Sequence, residues 1–261
     1  MKKSKLGIVG CGFLGTVIVD AWRNGLLDDY EIVGCTSRSR ESAESLAEKA
    51  GCKACSDIDA LLALAPDYVV EAASPVALKA IAENVLRNGA SLVVLSIGAF
   101  ADADFYAQTV ATARETGTRI HLASGAIGGF DVLRTAALMS AVESSITTEK
   151  GPASLQGTPV FKDHLLTDSE TTTVFSGSAR DAIALFPTKV NVAVATALAT
   201  AGAENTRVTI RSVPGFKGDD HRIEVIGDEV HAIVDIYSRT SAIAGWSVVA
   251  LLRNLVSPIV F

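Results

Sequence analysis

Gly10, Gly12 and Gly15 follow an apolar run, Leu6 to Val9, and precede helix-type spacing through Val17, Ile18, Ala21 and Trp22. The order is strand, tight turn, helix start. Backbone N–H groups and the positive end of the helix then face one anion, and G-x-G-x-x-G spacing suits the pyrophosphate of a dinucleotide. Contacts to it are expected at Gly10, Cys11, Gly12, Phe13, Leu14 and Gly15. The second strand should end in an acidic residue if the adenine ribose carries free hydroxyls. The sequence there is Gly34-Cys-Thr-Ser-Arg-Ser-Arg40 instead. Thr36, Ser37, Arg38 and Arg40 are donors and cations suited to a 2′-phosphate, so NADP is favoured over NAD, with Ser37 and Arg38 as the named contacts. The competing reading makes Arg38 and Arg40 a solvated helix start.

Other reactive side chains are fewer. Cys52-Lys-Ala-Cys55 has C-x-x-C spacing, but no second pair and no neighbouring histidine completes a zinc set. Cys11, Cys35, Cys52 and Cys55 are read as buried small residues, and no metal is expected. Of the histidines, His221 follows Gly218-Asp-Asp220 at the mouth of a strand. Taken alone it is either a surface residue or a proton carrier working near neutral pH. Asn191 sits at a helix start and is either its N-cap or a side-chain amide for a ligand. Ser124 either caps the helix that follows or holds a substrate carboxylate.

The elements that position these residues come in two sets. Up to Leu122 strand and helix alternate: strands at 6–10, 31–36, 53–55, 68–72, 92–95 and 119–122, and helices at 13–24, 40–50, 58–65, 75–88 and 102–116. That rhythm predicts an α/β fold with an N-terminal Rossmann-type, doubly wound parallel sheet that binds its ligand at the carboxyl ends of the strands. After Ser124 a glycine-rich loop opens a helix to Met139. Strands follow at 142–148, 171–175, 207–211, 221–226 and 230–237, with helices at 179–185 and 191–201. This predicts a smaller α+β substrate and dimerisation domain with an antiparallel or mixed sheet. The expected domains are 1–123 and 124–239, with a C-terminal helix in about 240–261 packing back on the first. A substrate would lie in the cleft between them, and the strand at 230–237 is a candidate for pairing in a homo-oligomer.

With 261 residues, a net charge of -6 and 49% hydrophobic residues, the chain has ample core for this layout. The acidic balance disfavours nucleic acid and anionic membrane as partners. The amino-terminal run is broken by glycine, and Arg253, Asn254 and Pro258 interrupt the apolar carboxyl end short of the ~20 residues a span needs. A cytoplasmic location is expected.

Five segments together resemble the L-aspartate dehydrogenase family: Val70-Glu-Ala-Ala-Ser-Pro75, Leu95-Ser-Ile-Gly-Ala-Phe100, Ser124-Gly-Ala-Ile-Gly-Gly-Phe-Asp131, Phe186-Pro-Thr-Lys-Val-Asn-Val-Ala193 and His221-Arg-Ile-Glu-Val-Ile-Gly227. Their order and spacing extend over nearly the whole chain. The resemblance implies NAD(P)-dependent oxidative deamination of L-aspartate, a small-molecule amino acid, to iminosuccinate and then oxaloacetate and ammonia. It places the catalytic histidine on His221 and cofactor contacts on Ala73, Ser74, Ala126 and Asn191. Ser124, Lys150 and Lys189 are the candidate substrate contacts. Three positions depart from the family: Glu149-Lys150 for Arg-Lys, Asp219 for Asn, and Lys189 for Asn. Both acids are expected in or near the cleft, where they would redirect it to a less anionic substrate. Reductases of the homoserine dehydrogenase and dihydrodipicolinate reductase type share the layout, and a cofactor-binding sensor without turnover is the alternative outside enzymes.

Overall fold

The computed structural model describes residues 3–186 and 190–261. They form two compact units, the first of residues 1–125 with 242–261 and the second of residues 126–241.

The first unit is built on six parallel strands. In chain order its elements are β1 (Ser4–Val9), α1 (Phe13–Arg23), β2 (Tyr30–Thr36), α2 (Arg40–Ala50), β3 (Lys53–Ala54), α3 (Ile58–Leu62), β4 (Tyr68–Glu71), α4 (Pro75–Arg87), β5 (Ser91–Val94), α5 (Ala103–Thr116) and β6 (Ile120–Leu122). The strand order is β3-β2-β1-β4-β5-β6, with the reversal between β1 and β4. Leu6, Ile8, Val70, Leu92 and Val93 are fully buried, as central strands covered on both faces must be. Helix starts are set locally: the Ser39, Asp57 and Ser74 side chains accept backbone N–H groups of α2, α3 and α4. α3 stops at Leu62, three residues before the sequence pattern suggests.

At the switch between β1 and β4 two backbones nearly touch. Gly10 has φ +105°, and a Cβ there would lie 2.5 Å from the Ala72 carbonyl oxygen. A Cβ on Gly15 would lie 2.2 Å from the Gly10 oxygen, so α1 sits directly on the turn. The loops beside it are tied by one carboxylate. Glu71 ends β4 fully buried. Its Oε1 accepts the N–H groups of Ala73 (2.8 Å) and Ser74 (2.9 Å) and the Ser96 hydroxyl (2.9 Å). Its Oε2 accepts the Ser96 N–H at 3.0 Å. Burial raises its pKa against these four donors.

The second unit contains α6 (Phe130–Met139), β7 (Glu143–Lys150), β8 (Thr172–Ser178), α7 (Ala179–Leu185), α8 (Asn191–Ala199), α9 (Gly202–Asn205), β9 (Thr206–Ser212), β10 (Asp219–Ile226) and β11 (His231–Ser238). Its mixed sheet has the order β11-β10-β7-β9-β8, and β7 with β9 is the parallel pair. One face is covered, with Ile146, Val208, Ile223 and Val225 buried against α6, α7 and α8. β11 is an edge strand.

The chain then returns to the first unit as α10 (Ala242–Val256). Val248, Val249 and Leu252 are buried beside α1, and the Tyr30 hydroxyl donates to the Leu252 carbonyl at 2.7 Å. Among the described residues no helix is long and apolar enough to cross a membrane.

Glu71→Gln would put an amide donor where the Ser96 N–H now donates. Two donors would then face each other in a buried site. The expected loss is about 1–3 kcal/mol of stability. Denaturant unfolding of the variant beside wild type measures it, and an unchanged midpoint would contradict the role.

Candidate active site

The first unit presents a place for an anion. Gly12 is the N-cap of α1, and no side chain caps that helix. No acidic residue lies in its first turn. Nothing lies within 4 Å of a Cβ built on Gly12, so the outer side of the turn is open. A buried helix start normally finds side-chain partners for its free N–H groups; an uncapped one facing open space suits a phosphate ligand. Phe13 lies beside the turn, 58% exposed, while Cys11 and Gly15 are buried. Ala73 and Ser74, the residues that Glu71 holds, lie in the next loop along the sheet, one strand over from the turn.

Ser37 and Arg38 follow β2 directly. Arg38 is exposed and makes no ion pair or hydrogen bond among the described residues. Arg40 does not share its position. It is the first residue of α2, and its guanidinium donates to Glu44 at 2.7 Å on the open side of the helix.

In the second unit the site is set by strand parity. β10 begins at Asp219, two residues before the sequence pattern places it. His221 therefore lies inside the strand rather than at its mouth. It is paired with Thr148 of β7 on one side and Ile236 of β11 on the other, and is 2% exposed. Side chains alternate along a strand. Asp219 and His221 share the covered face with the opposite residues of β7, Lys150 and Thr148. Asp220, Arg222 and Glu224 point the other way, with Glu149.

Each neighbour on the covered face acts on the imidazole. Thr148 Oγ1 meets His221 Nδ1 at 2.9 Å and fixes the ring plane. That leaves Nε2 as the nitrogen available for chemistry. Lys150 donates to the Asp219 carboxylate in a close ion pair. Burial first and the Lys150 ammonium second hold the His221 pKa down at about 4, with the Asp219 carboxylate opposing both. The ring is neutral at neutral pH and can accept a proton.

The glycine-rich loop comes down on the same face. A Cβ on Gly129 would lie 2.6 Å from Val234, and one on Gly128 would lie 3.6 Å from Ile236, the residue paired with His221. Ala126 opens that loop. Gly129, not Ser124, is the N-cap of α6, so the capping role considered for Ser124 is excluded. Asn191 is likewise not a cap; it is the first residue of α8, and Val190 holds the N-cap position. At the other end of α8, Thr200 Oγ1 meets Ser144 Oγ at 2.8 Å. Lys189 lies outside the described residues.

Glu149 requires a correction. It is expected beside the substrate, yet it faces away from His221 and accepts from Arg211 at 3.2 Å. With Asp235 it raises the Asp220 carboxyl, which burial already pushes up. Asp219 is on the His221 face as expected, but its charge is paired with Lys150. A cavity of about 860 Å³, lined by Ser140, Ser144, Thr200, Arg207 and Ile226, lies at the opposite end of the sheet and includes none of these residues. Among the described residues no group of three or more metal ligands is assembled.

Lys150→Met should raise the His221 pKa from about 4 toward the ordinary value of about 6.5. Asp219→Asn should move it the other way. Nitrogen NMR of the ring reads both, and equal values in the two variants would contradict the electrostatic account. The unfolded chain binds a proton at His221 that the fold refuses, so this group's effect on stability is a loss on acidification between pH about 6.5 and 4.

Residues 131–255 match the family model "Aspartate dehydrogenase, C-terminal", and residues 10–123 match "Homoserine dehydrogenase, NAD binding domain". The L-aspartate dehydrogenase of Methanocaldococcus jannaschii is 34% identical, with 98% of each chain covered. That of Methanosarcina mazei is 32% identical over the same shares. The crystal structure of aspartate dehydrogenase from Thermotoga maritima superposes with a TM-score of 0.78 at 28% identity, covering 100% of both chains. Homoserine dehydrogenase from Thermoplasma acidophilum shares the fold, with a TM-score of 0.62 at 14% identity over 97% of this chain and 99% of that one. The chain therefore belongs to the L-aspartate dehydrogenase family of NAD(P)-dependent oxidoreductases.

Proposed function

We propose that the protein catalyses the NAD(P)-dependent oxidative deamination of L-aspartate, with His221 as its proton acceptor. The observation that supports this reading best is the buried imidazole, held at Nδ1 by Thr148 and set beside the Lys150–Asp219 ion pair. Bound at the glycine turn, the nicotinamide cofactor supplies the hydride acceptor for Cα of the amino acid. The first unit holds it. The α1 N-terminus and the backbone at Gly10 to Gly15 receive the pyrophosphate, and the loop at Ala73 and Ser74 borders it. Ala126 and Asn191 are assigned to its nicotinamide end.

The second unit handles protons. Deamination removes a proton from the substrate amine and another from the water that adds to the imine. A neutral His221 Nε2 accepts either, and Thr148 keeps the ring in the required orientation. The ion pair with Lys150 leaves Asp219 without the repulsion that a bare carboxylate would exert on a dicarboxylic substrate. Lys150, with Ser124, is assigned to a substrate carboxylate. With Glu149 on the far face, L-aspartate fits the charge of this site better than the sequence departures suggest.

For the cofactor, NADP is favoured. No acidic side chain follows β2 before Glu41, and Ser37 and Arg38, the two residues after the strand, are assigned to a 2′-phosphate.

Purified protein given L-aspartate with NAD or NADP should accumulate reduced nicotinamide, faster with NADP. Tight cofactor binding without aspartate-dependent reduction would overturn the substrate assignment. Arg38→Ala should lower kcat/KM for NADP by about tenfold and leave NAD nearly unchanged, the equivalent of one lost charge-assisted contact. Equal losses with both cofactors would contradict the 2′-phosphate reading.

A further inference from the structure

Two residues past the end of β5, Ser96 has an unexpected hydrogen-bond partner. It stands at the N-cap of a short 3₁₀ turn, Ile97–Ala101, where a serine hydroxyl ordinarily accepts a backbone N–H of the first turn. Here the side chain caps nothing. Its hydroxyl donates to Glu71 Oε1 at 2.9 Å, and its N–H donates to Glu71 Oε2 at 3.0 Å. The backbone reaches this position through an inverse γ-turn centred on Ser96, with φ -83° and ψ 54°. That turn is closed by the Ile97 N–H, which donates to the Leu95 carbonyl oxygen at 2.9 Å. Ser96 and Glu71 are both buried, so a hydrogen bond lost between them is not made good by bulk water.

The grip bears on what lies across the carboxylate. Glu71 Oε1 also accepts the N–H groups of Ala73 and Ser74. The Ser74 hydroxyl in turn accepts the Ala77 N–H at 3.1 Å and so starts α4. The same loop rests on the glycine turn. A Cβ on Gly10 would lie 2.5 Å from the Ala72 carbonyl oxygen and 2.9 Å from the Ala73 nitrogen. An unbroken chain of contacts therefore runs from Ser96 through Glu71 to residues 72–74 and on to Gly10, all within the first unit. Three donors converge on Oε1 among the described residues, and the Ser96 hydroxyl is the one that a side-chain substitution removes. A buried carboxylate that loses a donor is less stable as an anion. If it took up a proton, its O–H would compete as a donor with the loop N–H groups it now receives.

We propose that Ser96 is a positioning residue for the dinucleotide: acting through Glu71, it holds the loop at 72–74 against the glycine turn in the arrangement that receives the cofactor. It does not touch the reacting atoms, so it governs cofactor affinity and leaves the chemical step alone. The inference rests on the cofactor reading above.

The test compares Ser96→Ala with wild type, by NADP titration of the purified protein and by steady-state kinetics with L-aspartate. The Kd and KM for NADP should each rise about fivefold to tenfold. At saturating NADP, kcat should stay within about twofold, the signature of lost binding without lost transition-state stabilisation. A purely structural role would lower thermal stability and the fraction of active protein, and leave Kd and KM of that fraction unchanged. That result would overturn the proposal, as would a loss confined to kcat. Should Ser96→Ala fail to fold, Ser96→Cys decides. Its thiol fills nearly the same space but donates weakly, so NADP binding should weaken about threefold, and wild-type affinity would overturn the proposal. Wild-type protein that binds neither NAD nor NADP would sink the cofactor reading and this inference with it. Wild-type binding that the substitution leaves unchanged would overturn this inference alone.

Discussion

Successive side chains on a β-strand point to opposite faces, and in the second unit that alternation decides which charges His221 meets. β10 and β7 are paired so that Asp219 lies opposite Lys150, and His221 opposite Thr148. A slip of one residue in β7 would turn Thr148 and Lys150 away and bring Glu149 to the imidazole in their place. The ring would then sit among uncompensated carboxylates, which raise its pKa and repel an anionic substrate. As folded, it is buried, neutral at neutral pH and hydrogen-bonded through Nδ1. The surrounding sheet supports this register: Ile146, Ile223 and Val225 are buried on the same face, so the register that fills the core also aims the histidine.

The first unit depends on close approach between backbones. Gly10 and Gly15 allow the turn, the neighbouring β4 loop and α1 to meet at distances no side chain tolerates. The result is a helix start with free N–H groups at the switch in strand order, where open α/β sheets bind their ligands. Glu71 makes the adjoining loops rigid by accepting four hydrogen bonds from Ala73, Ser74 and Ser96. The first unit thus presents a preorganised turn, and the second an imidazole whose ring plane Thr148 fixes.

Much of this is legible in the chain. The glycine fingerprint and the strand–helix rhythm locate the parallel sheet, because local patterning and the fold agree there. The second half is harder. Its strands are short, and the mixed order β11-β10-β7-β9-β8 depends on contacts far apart in sequence. Placing the start of β10 at His221 instead of Asp219 made a buried strand residue look like one at a loop mouth. It also hid the parity that separates Asp219 from Asp220 and Lys150 from Glu149. Thr148 gives no signal of its own, since a threonine in an alternating strand looks like any other. Glu71 does give one, a charged residue ending an apolar strand, but its three partners lie in loops whose approach no spacing reveals.

The central claim is that His221 is the proton acceptor, and one substitution tests it. His221→Gln keeps a polar side chain of similar reach and removes the group that titrates. With L-aspartate and saturating cofactor, kcat should fall by about 10²–10⁴ while cofactor affinity and thermal stability stay close to wild type. A variant that turns over within about tenfold of wild type would contradict the assignment, and the proton would have to leave by another group.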